Sequence, residues 1–65
     1  MKIAIITKDI RLFNDIKPLN NNCELIIVNN IDDIRGRFFN AIILGYDSWK
    51  ISNLLIDMTY DRLKK

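Results

Sequence analysis

Six residues, five with polar side chains and one glycine, directly follow two apolar segments of the sequence. They are the strongest candidates in this sequence for a ligand-binding or catalytic site. They are Thr7, Lys8, Asp9, Gly45, Tyr46 and Asp47. Ligands of open α/β sheets bind beyond the carboxyl ends of the strands, where the strand order changes direction. If both segments are strands of one parallel sheet, these residues line a strand-end crevice together with Asn29 and Ser48. The crevice is a candidate small-ligand site.

The polar residues of this crevice also have a simpler interpretation. Thr7, Asp9, Asn30, Asp47 and Ser48 are all suited to cap helices or to form turns. We favour this interpretation because each residue has a local role. A glycine-rich phosphate loop is absent from the sequence, since Gly36 and Gly45 match neither common spacing.

The residue types exclude most familiar catalytic centres. The sequence contains no histidine, which excludes zinc sites built from Cys and His and triads that use His as the base. Cys23 is the single cysteine, which excludes an intramolecular disulfide and fits a reducing compartment. We interpret it as a small apolar residue at the start of a strand. The prediction is a protein without catalytic residues, metal or cofactor.

Composition predicts one folded domain over residues 1–65, with 49% hydrophobic residues. Ten Lys and Arg residues against eight Asp and Glu residues give a net charge of +2 without a clustered basic stripe. This balance argues against nucleic acid as the partner. No apolar run approaches the roughly 20 residues of a membrane span, and Lys8 and Asp9 interrupt the first apolar segment too early for a signal peptide. We expect a cytoplasmic protein.

Three short, nearly continuous β-branched runs predict strands that are covered on both faces. They lie within Lys2–Thr7, Glu24–Val28 and Ala41–Leu44. Between and after them, helical spacing of apolar residues predicts three helices. The alternation of strands and helices predicts an α/β fold with a parallel sheet.

The first predicted helix runs from Asp9 to about Lys17, because Pro18 disfavours helical geometry at the residue before it. Asn20, Asn21 and Asn22 then form a turn. The second helix covers Ile31 to Phe39 and has Asn30 as its cap and an acidic first turn with Asp33, although Gly36 weakens it. Ile31, Ile34 and Phe38 would share a face of this helix. The third covers Tyr46 to Lys65 and has Asp47 or Ser48 as its cap.

This pattern resembles the N-terminal half of a response-regulator receiver domain and, more loosely, a flavodoxin-like domain. The residues responsible are Ile3–Ile6, Leu25–Val28 and the segment from Asn40 to Asp47. The resemblance implies a three-stranded sheet in the order 2-1-3. Receivers have an acidic pair after the first strand and a phospho-accepting aspartate at the end of the third. Here the corresponding positions are Thr7-Lys8-Asp9 and Gly45. The resemblance therefore implies the scaffold without phosphoryl transfer, and the acceptor role does not pass to Asp47.

In the order 2-1-3 the third strand is an edge, although its residues are apolar on both faces. Either the final helix folds back over such an edge, or a second copy or a foreign sheet completes it by strand addition. The last predicted helix has two apolar stripes at about 100° per residue. Ile51, Leu54, Leu55 and Met58 form an inner stripe, and Trp49, Ile56, Tyr60 and Leu63 form an outer stripe. We predict that the outer stripe is a protein interface; the alternative is that these residues belong to the core, if the chain itself covers both sides of the last helix.

These features predict a small non-catalytic protein-binding regulator that forms a homodimer. The many isoleucines, asparagines and lysines suggest an AT-rich source, and we expect a phage or mobile-element regulator that binds a host repressor, nuclease or polymerase. One alternative is a DNA-binding or transcription accessory protein. Another is a small-ligand module that uses the strand-end crevice.

Overall fold

A parallel three-stranded sheet forms the centre of the protein, as a computed structural model that describes residues 1–20 and 22–64 shows. Strands β1 (Lys2–Ile6), β2 (Glu24–Val28) and β3 (Ala41–Leu44) lie in the order β2-β1-β3. Ile3 of β1 is opposite Leu25 of β2 and Ala41 of β3. The predicted strands and their order are confirmed. Asn21 of the predicted turn and Lys65 of the predicted last helix lie outside the described residues.

Burial explains why β1 has an unbroken apolar sequence. Ala4, Ile5 and Ile6 have no solvent exposure, because β1 has a strand on each side and a covering layer on each face. Successive side chains of a strand point to opposite faces, so both sets must be apolar.

The first predicted helix is present as α1 (Ile10–Ile16). The backbone N–H of Arg11 donates to the Asp9 carboxylate at 2.9 Å, which makes Asp9 the N-cap. The helix ends before Lys17, and a 3-10 turn, Lys17–Asn20, contains Pro18. The prediction of both ends from the cap and the proline is confirmed.

The predicted second helix over Ile31 to Phe39 is wrong, and the described residues contain two α-helices instead of three. Only the 3-10 turn Ile31–Asp33 forms there, with a capping box between Asn30 and Asp33. Gly36 has a φ of +67°, in the left-handed region that a right-handed helix cannot include. The cap signal was correct, but the chain turns away after one turn.

The segment after this turn is arranged so that its two phenylalanines point in opposite directions. Phe38 is 60% exposed, whereas the adjacent Phe39 is completely buried. The predicted common face of Ile31, Ile34 and Phe38 is therefore wrong, since Ile34 is buried and Ile31 is exposed. Alternation of this kind is typical of extended chain.

The predicted continuous helix from Tyr46 to Lys65 is also wrong. A 3-10 turn, Ser48–Lys50, comes first, and Ile51 then has extended backbone angles of −97° and 141°. Helix α2 (Asn53–Asp61) begins only after Ser52, whose side chain accepts from the N–H of Leu54. Ser52 is thus the N-cap, and Asp47 makes no side-chain capping bond.

The break at Ile51 changes which side chains of the last segment are buried. Thr59, which a continuous helix places between the two stripes, is completely buried. Leu54, predicted to face inward, is 68% exposed. Leu55 and Thr59, four residues apart on α2, form the buried inner face of the helix, and Ile51 of the extended segment before it is buried beside them.

The main core lies between one face of the sheet and α2. It consists of Ala4, Ile6, Val28, Ile34, Phe39, Ile51 and Leu55, with Ile26, Ile42, Ile56 and Met58 packed around it. On the other face, α1 contributes the half-buried Leu12 and Phe13. Among the residues with described coordinates, no helix is long and apolar enough to cross a membrane.

Candidate functional site

The carboxylate of Asp47 joins the ends of β1 and β3. The hydroxyl of Thr7 donates to Asp47 Oδ1 at 2.6 Å, and the backbone N–H of Lys8 donates to Oδ2 at 2.9 Å. Both Thr7 and Asp47 are buried. Each carboxylate oxygen therefore has a donor from the loop after β1, and the loop is held against the end of β3.

A second contact between the same two loops lies at the surface. The hydroxyl of Tyr46 donates to Asp9 Oδ2, while Asp9 Oδ1 accepts from the N–H of Arg11. The N–H of Asp9 donates in turn to Thr7 Oγ1 at 3.0 Å. Asp9 thus caps α1 and binds the β3 loop at the same time.

Gly45 allows these two loops to approach each other closely. A Cβ atom at this position would lie 2.9 Å from Thr7 Cβ, Asp47 Oδ1 and Leu12 Cδ2. No real side chain fits at such distances. Gly45 therefore has a steric role in this fold.

These contacts change the titration of three groups. The hydrogen bond from Thr7, followed by that from the Lys8 backbone, lowers the pKa of Asp47 below 3.8. The hydrogen bond from Tyr46, followed by that from the Arg11 backbone, lowers the pKa of Asp9 below 3.8. The same bond to Asp9 raises the pKa of Tyr46 above 10.0. Both carboxylates are stabilised in the charged form.

The structure thus brings together all six residues that the sequence placed at the strand-end crevice, but all of them except Gly45 hydrogen-bond to one another. The oxygens of Asp47 and Asp9 are already used by donors of the protein itself. Over the described part of the chain, no group of three or more Cys, Asp or Glu side chains is arranged to hold a metal ion. This geometry fits the interpretation of the crevice residues as structural, with Asp47 as a link between loops rather than a helix cap.

The four predicted interface residues are distributed along α2 and its flanks. Trp49 lies in the turn before the helix and is 78% exposed, and Tyr60 lies near the other end and is 46% exposed. Ile56 is half-buried and packs against the main core. Leu63 is half-buried beside Phe39. Two of the four side chains are therefore largely available to a partner.

The outer edge of β3 is covered only at its beginning. The N–H of Phe39 donates to the carbonyl of Arg62 at 2.8 Å, and the N–H of Lys64 donates to the carbonyl of Phe39 at 2.6 Å. Alternate residues of a strand bond toward opposite edges, so Ala41 and Ile43 direct their backbone groups to the same side as Phe39. Within residues 1–20 and 22–64, no strand lies beyond β3 on that side.

A cleft on the other side of the strand ends includes Lys8 and Asn29, which the sequence placed at the crevice, and further residues that it did not indicate. Asn30 and Ile31 after β2, and Lys50 and Ser52 before α2, are among its lining residues. The sequence could have indicated Asn30 and Ile31, because they follow β2 and the carboxyl end of β2 lies at the same edge of the sheet as that of β1. No sequence signal indicated Lys50 and Ser52, since their position depends on the break before α2.

No protein-family model, curated protein or solved structure matches this chain. The resemblance to receiver domains therefore stays a prediction from the sequence.

Proposed function

We propose that this chain is a small non-catalytic protein-binding regulator that forms a homodimer and acts by binding a host protein. The exposure of Trp49, at 78%, is the observation that supports this function most directly. Tryptophan is highly buried on average, and it is enriched among the residues that dominate binding energy in interfaces. An indole held in a short turn at the end of β3 is well placed for a partner.

The side chains around β3 extend this surface to both ends of the strand. Leu44, Tyr46 and Trp49 at its carboxyl end are 48%, 72% and 78% exposed. Phe38 before the strand is 60% exposed and, with Leu63, lines a hollow of about 460 Å³. Exposed apolar side chains therefore lie beyond both ends of β3, whose outward-facing backbone groups are those of Ala41 and Ile43.

This arrangement supports partner binding through strand addition. An extended segment from a second copy would bond to the backbone of Ala41 and Ile43, and the flanking aromatic side chains would pack against it. The free edge is short, so the flanking side chains must supply most of the binding free energy. The same surface is the proposed contact for a host repressor, nuclease or polymerase, and we retain the phage or mobile-element assignment as part of this proposal.

Sedimentation equilibrium over micromolar concentrations tests the homodimer. The wild-type chain is expected to be a dimer, and Trp49→Ala combined with Tyr60→Ala is expected to be monomeric with an unchanged circular dichroism spectrum. Leu19→Ala is the matched control, because Leu19 is 81% exposed in the 3-10 turn after α1, at the opposite end of the strands.

A wild-type chain that is monomeric throughout this range would contradict the homodimer. A folded double variant with unchanged dimerisation would contradict the assignment of the interface to Trp49 and Tyr60. Binding to host proteins is then measured by affinity capture with the wild-type chain, the double variant and the Leu19→Ala control in parallel. A specific partner must be retained by the wild-type chain and by the Leu19→Ala control, and it must be lost by the double variant.

A further inference from the structure

A cleft of about 480 Å³ lies between the loops that follow β1 and β2 and the beginning of α2. Its polar lining residues are Lys8, Asn29, Asn30, Lys50 and Ser52, and the rest of its lining is apolar. Small-molecule sites have volumes of roughly 300–1,000 Å³ and combine apolar walls with a few polar groups. The cleft shares no residue with the proposed interface at Trp49, Ile56, Tyr60 and Leu63, although Lys50 of its wall contacts the Trp49 ring.

The charges in the cleft have one sign. Lys8 and Lys50 line it, and no carboxylate is among the residues that form its walls. The ion pairs of the described residues use Lys2, Arg11 and Arg35, so neither cleft lysine is neutralised by a carboxylate. The Lys8 backbone is fixed by its bond to Asp47, and the Lys50 ammonium lies 5.4 Å from the centre of the Trp49 ring.

The polar groups next to the lysines have hydrogens to donate. Ser52 Oγ accepts from the N–H of Leu54, which leaves its hydroxyl hydrogen free to donate. Asn30 Oδ1 accepts from the N–H of Asp32, and its Nδ2 donates to Asn29 Oδ1. The Asn29 side-chain carbonyl is therefore engaged, and its NH₂ group remains as a donor. Ammonium, amide and hydroxyl donors together suit an anionic group.

The rest of the cleft is apolar and formed in advance. Ile51 and Leu55 belong to the main core, at 3% and 7% exposure, and form its fixed base. Ile31 and Leu54 are 44% and 68% exposed and form walls that an apolar ligand would cover. A simple inorganic anion would leave these walls in water.

We propose that this cleft binds a small amphipathic anion, in which a carboxylate or phosphate contacts Lys8 and Lys50 and an apolar body lies against Ile31 and Leu54. Both headgroups share the chemistry that the donors recognise. The apolar body distinguishes this ligand from free phosphate, and the negative charge distinguishes it from a neutral alcohol or an amine.

Titration of the ¹⁵N-labelled chain with four probes of equal chain length tests the proposal. Octyl phosphate and octanoate carry the charge, while octanol and octylammonium lack it. At least one anion is expected to shift the amide signals of Asn29, Asn30, Ser52 and Leu54 in a saturable manner, more strongly than either other probe. The stronger of the two anions identifies the preferred headgroup, and inorganic phosphate is expected to bind more weakly than octyl phosphate.

Two variants separate charge from apolar contact. Lys8→Gln with Lys50→Gln is expected to weaken binding of the anion by about tenfold or more, as expected for loss of charge-assisted hydrogen bonds. Leu54→Ser removes apolar surface from an exposed wall without changing the charge, and it is expected to weaken binding as well. Lys17→Gln removes the same charge at the far end of α1 and is expected to leave binding unchanged.

Equal binding of octanol or octylammonium would overturn the proposal, as would the absence of saturable shifts with both anions. Unchanged anion affinity in the double lysine variant, verified as folded by circular dichroism, would also overturn it. Because dimerisation is measured separately at Trp49 and Tyr60, failure here leaves the proposed function untouched.

Discussion

Thr7 and Asp47, 40 positions apart in the sequence, are joined by a hydrogen bond of 2.6 Å between two buried side chains. The bond connects the residue after β1 to the loop after β3. Together with the Lys8 N–H, it gives both oxygens of Asp47 a donor. The carboxyl end of the sheet is therefore closed by its own polar residues on the β3 side, and an uncovered cleft remains on the β2 side.

The free energy of unfolding is expected to decrease at acidic pH, because Asp47 and Asp9 become protonated. Both have a pKa below 3.8 in the folded protein, so the unfolded chain binds more protons in the window below that value. Their contribution is present above the unfolded pKa and is lost as the pH falls through the folded pKa. Thermal unfolding followed by circular dichroism should show a melting temperature that is level above about pH 5 and decreases below it.

Thr7→Val is expected to make this acid-induced loss shallower, because it removes the main cause of the low pKa of Asp47. Thr59→Val is the control, since Thr59 is equally buried but donates to the carbonyl oxygen of Leu55 at 2.8 Å, which does not titrate. It should lower stability without changing the pH dependence. Parallel pH profiles for the wild type and Thr7→Val would contradict the assignment.

Gly45→Ala is expected to destabilise the fold by about 1–3 kcal/mol, because its Cβ would lie 2.9 Å from three neighbouring atoms. Gly36→Ala is the comparison, with a positive φ but no atom within 4 Å of the added Cβ. Its cost is only the backbone strain, about 1 kcal/mol. Urea unfolding measures both, and a larger loss for Gly36→Ala would be inconsistent with the packing described here.

Phe39→Ala is expected to cost about 3–5 kcal/mol, since Phe39 is completely buried in the main core. Such a loss is comparable to the whole stability of a small domain. Phe38→Ala is expected to cost less than about 1 kcal/mol. This figure includes loss of the contact with the Arg62 guanidinium, whose central carbon lies 5.9 Å from the centre of the Phe38 ring. Chemical denaturation of both variants tests the order, which would be reversed if the segment were helical with Phe38 inward.

Incubation with acetyl phosphate is expected to leave the protein unmodified. Both oxygens of Asp47 already accept hydrogen bonds, and the carboxylate is buried. Intact-protein mass spectrometry should therefore show no added phosphoryl group, in the wild type as in Asp47→Asn. An acid-labile phosphate that maps to Asp47 in the wild type and is missing in the variant would refute this.

The sequence alone determined the strands, the sheet and the first helix. Nearly continuous β-branched runs such as Ile3–Ile6 are compatible with few structures other than a buried strand. Asp9 and Pro18 mark the ends of α1 by local chemistry. The sequence also identified the capping pair of Asn30 and Asp33. These features depend on neighbours within a few positions along the chain, which is why they could be predicted.

The tertiary structure decided where the remaining helical segments stop and what the polar residues bond to. Gly36 tolerates either a helix or a left-handed turn, and only the burial of Phe39 and Ile34 requires the turn. Likewise, Ser48 and Ser52 are both good caps, and the need to bury Ile51, Leu55 and Thr59 selects Ser52. Asp47 had a local role as a cap in the sequence, but its partners Thr7 and Lys8 lie about 40 positions away. Such long-range contacts leave no periodic trace in the sequence, because they are set by how close the folded strands bring two loops.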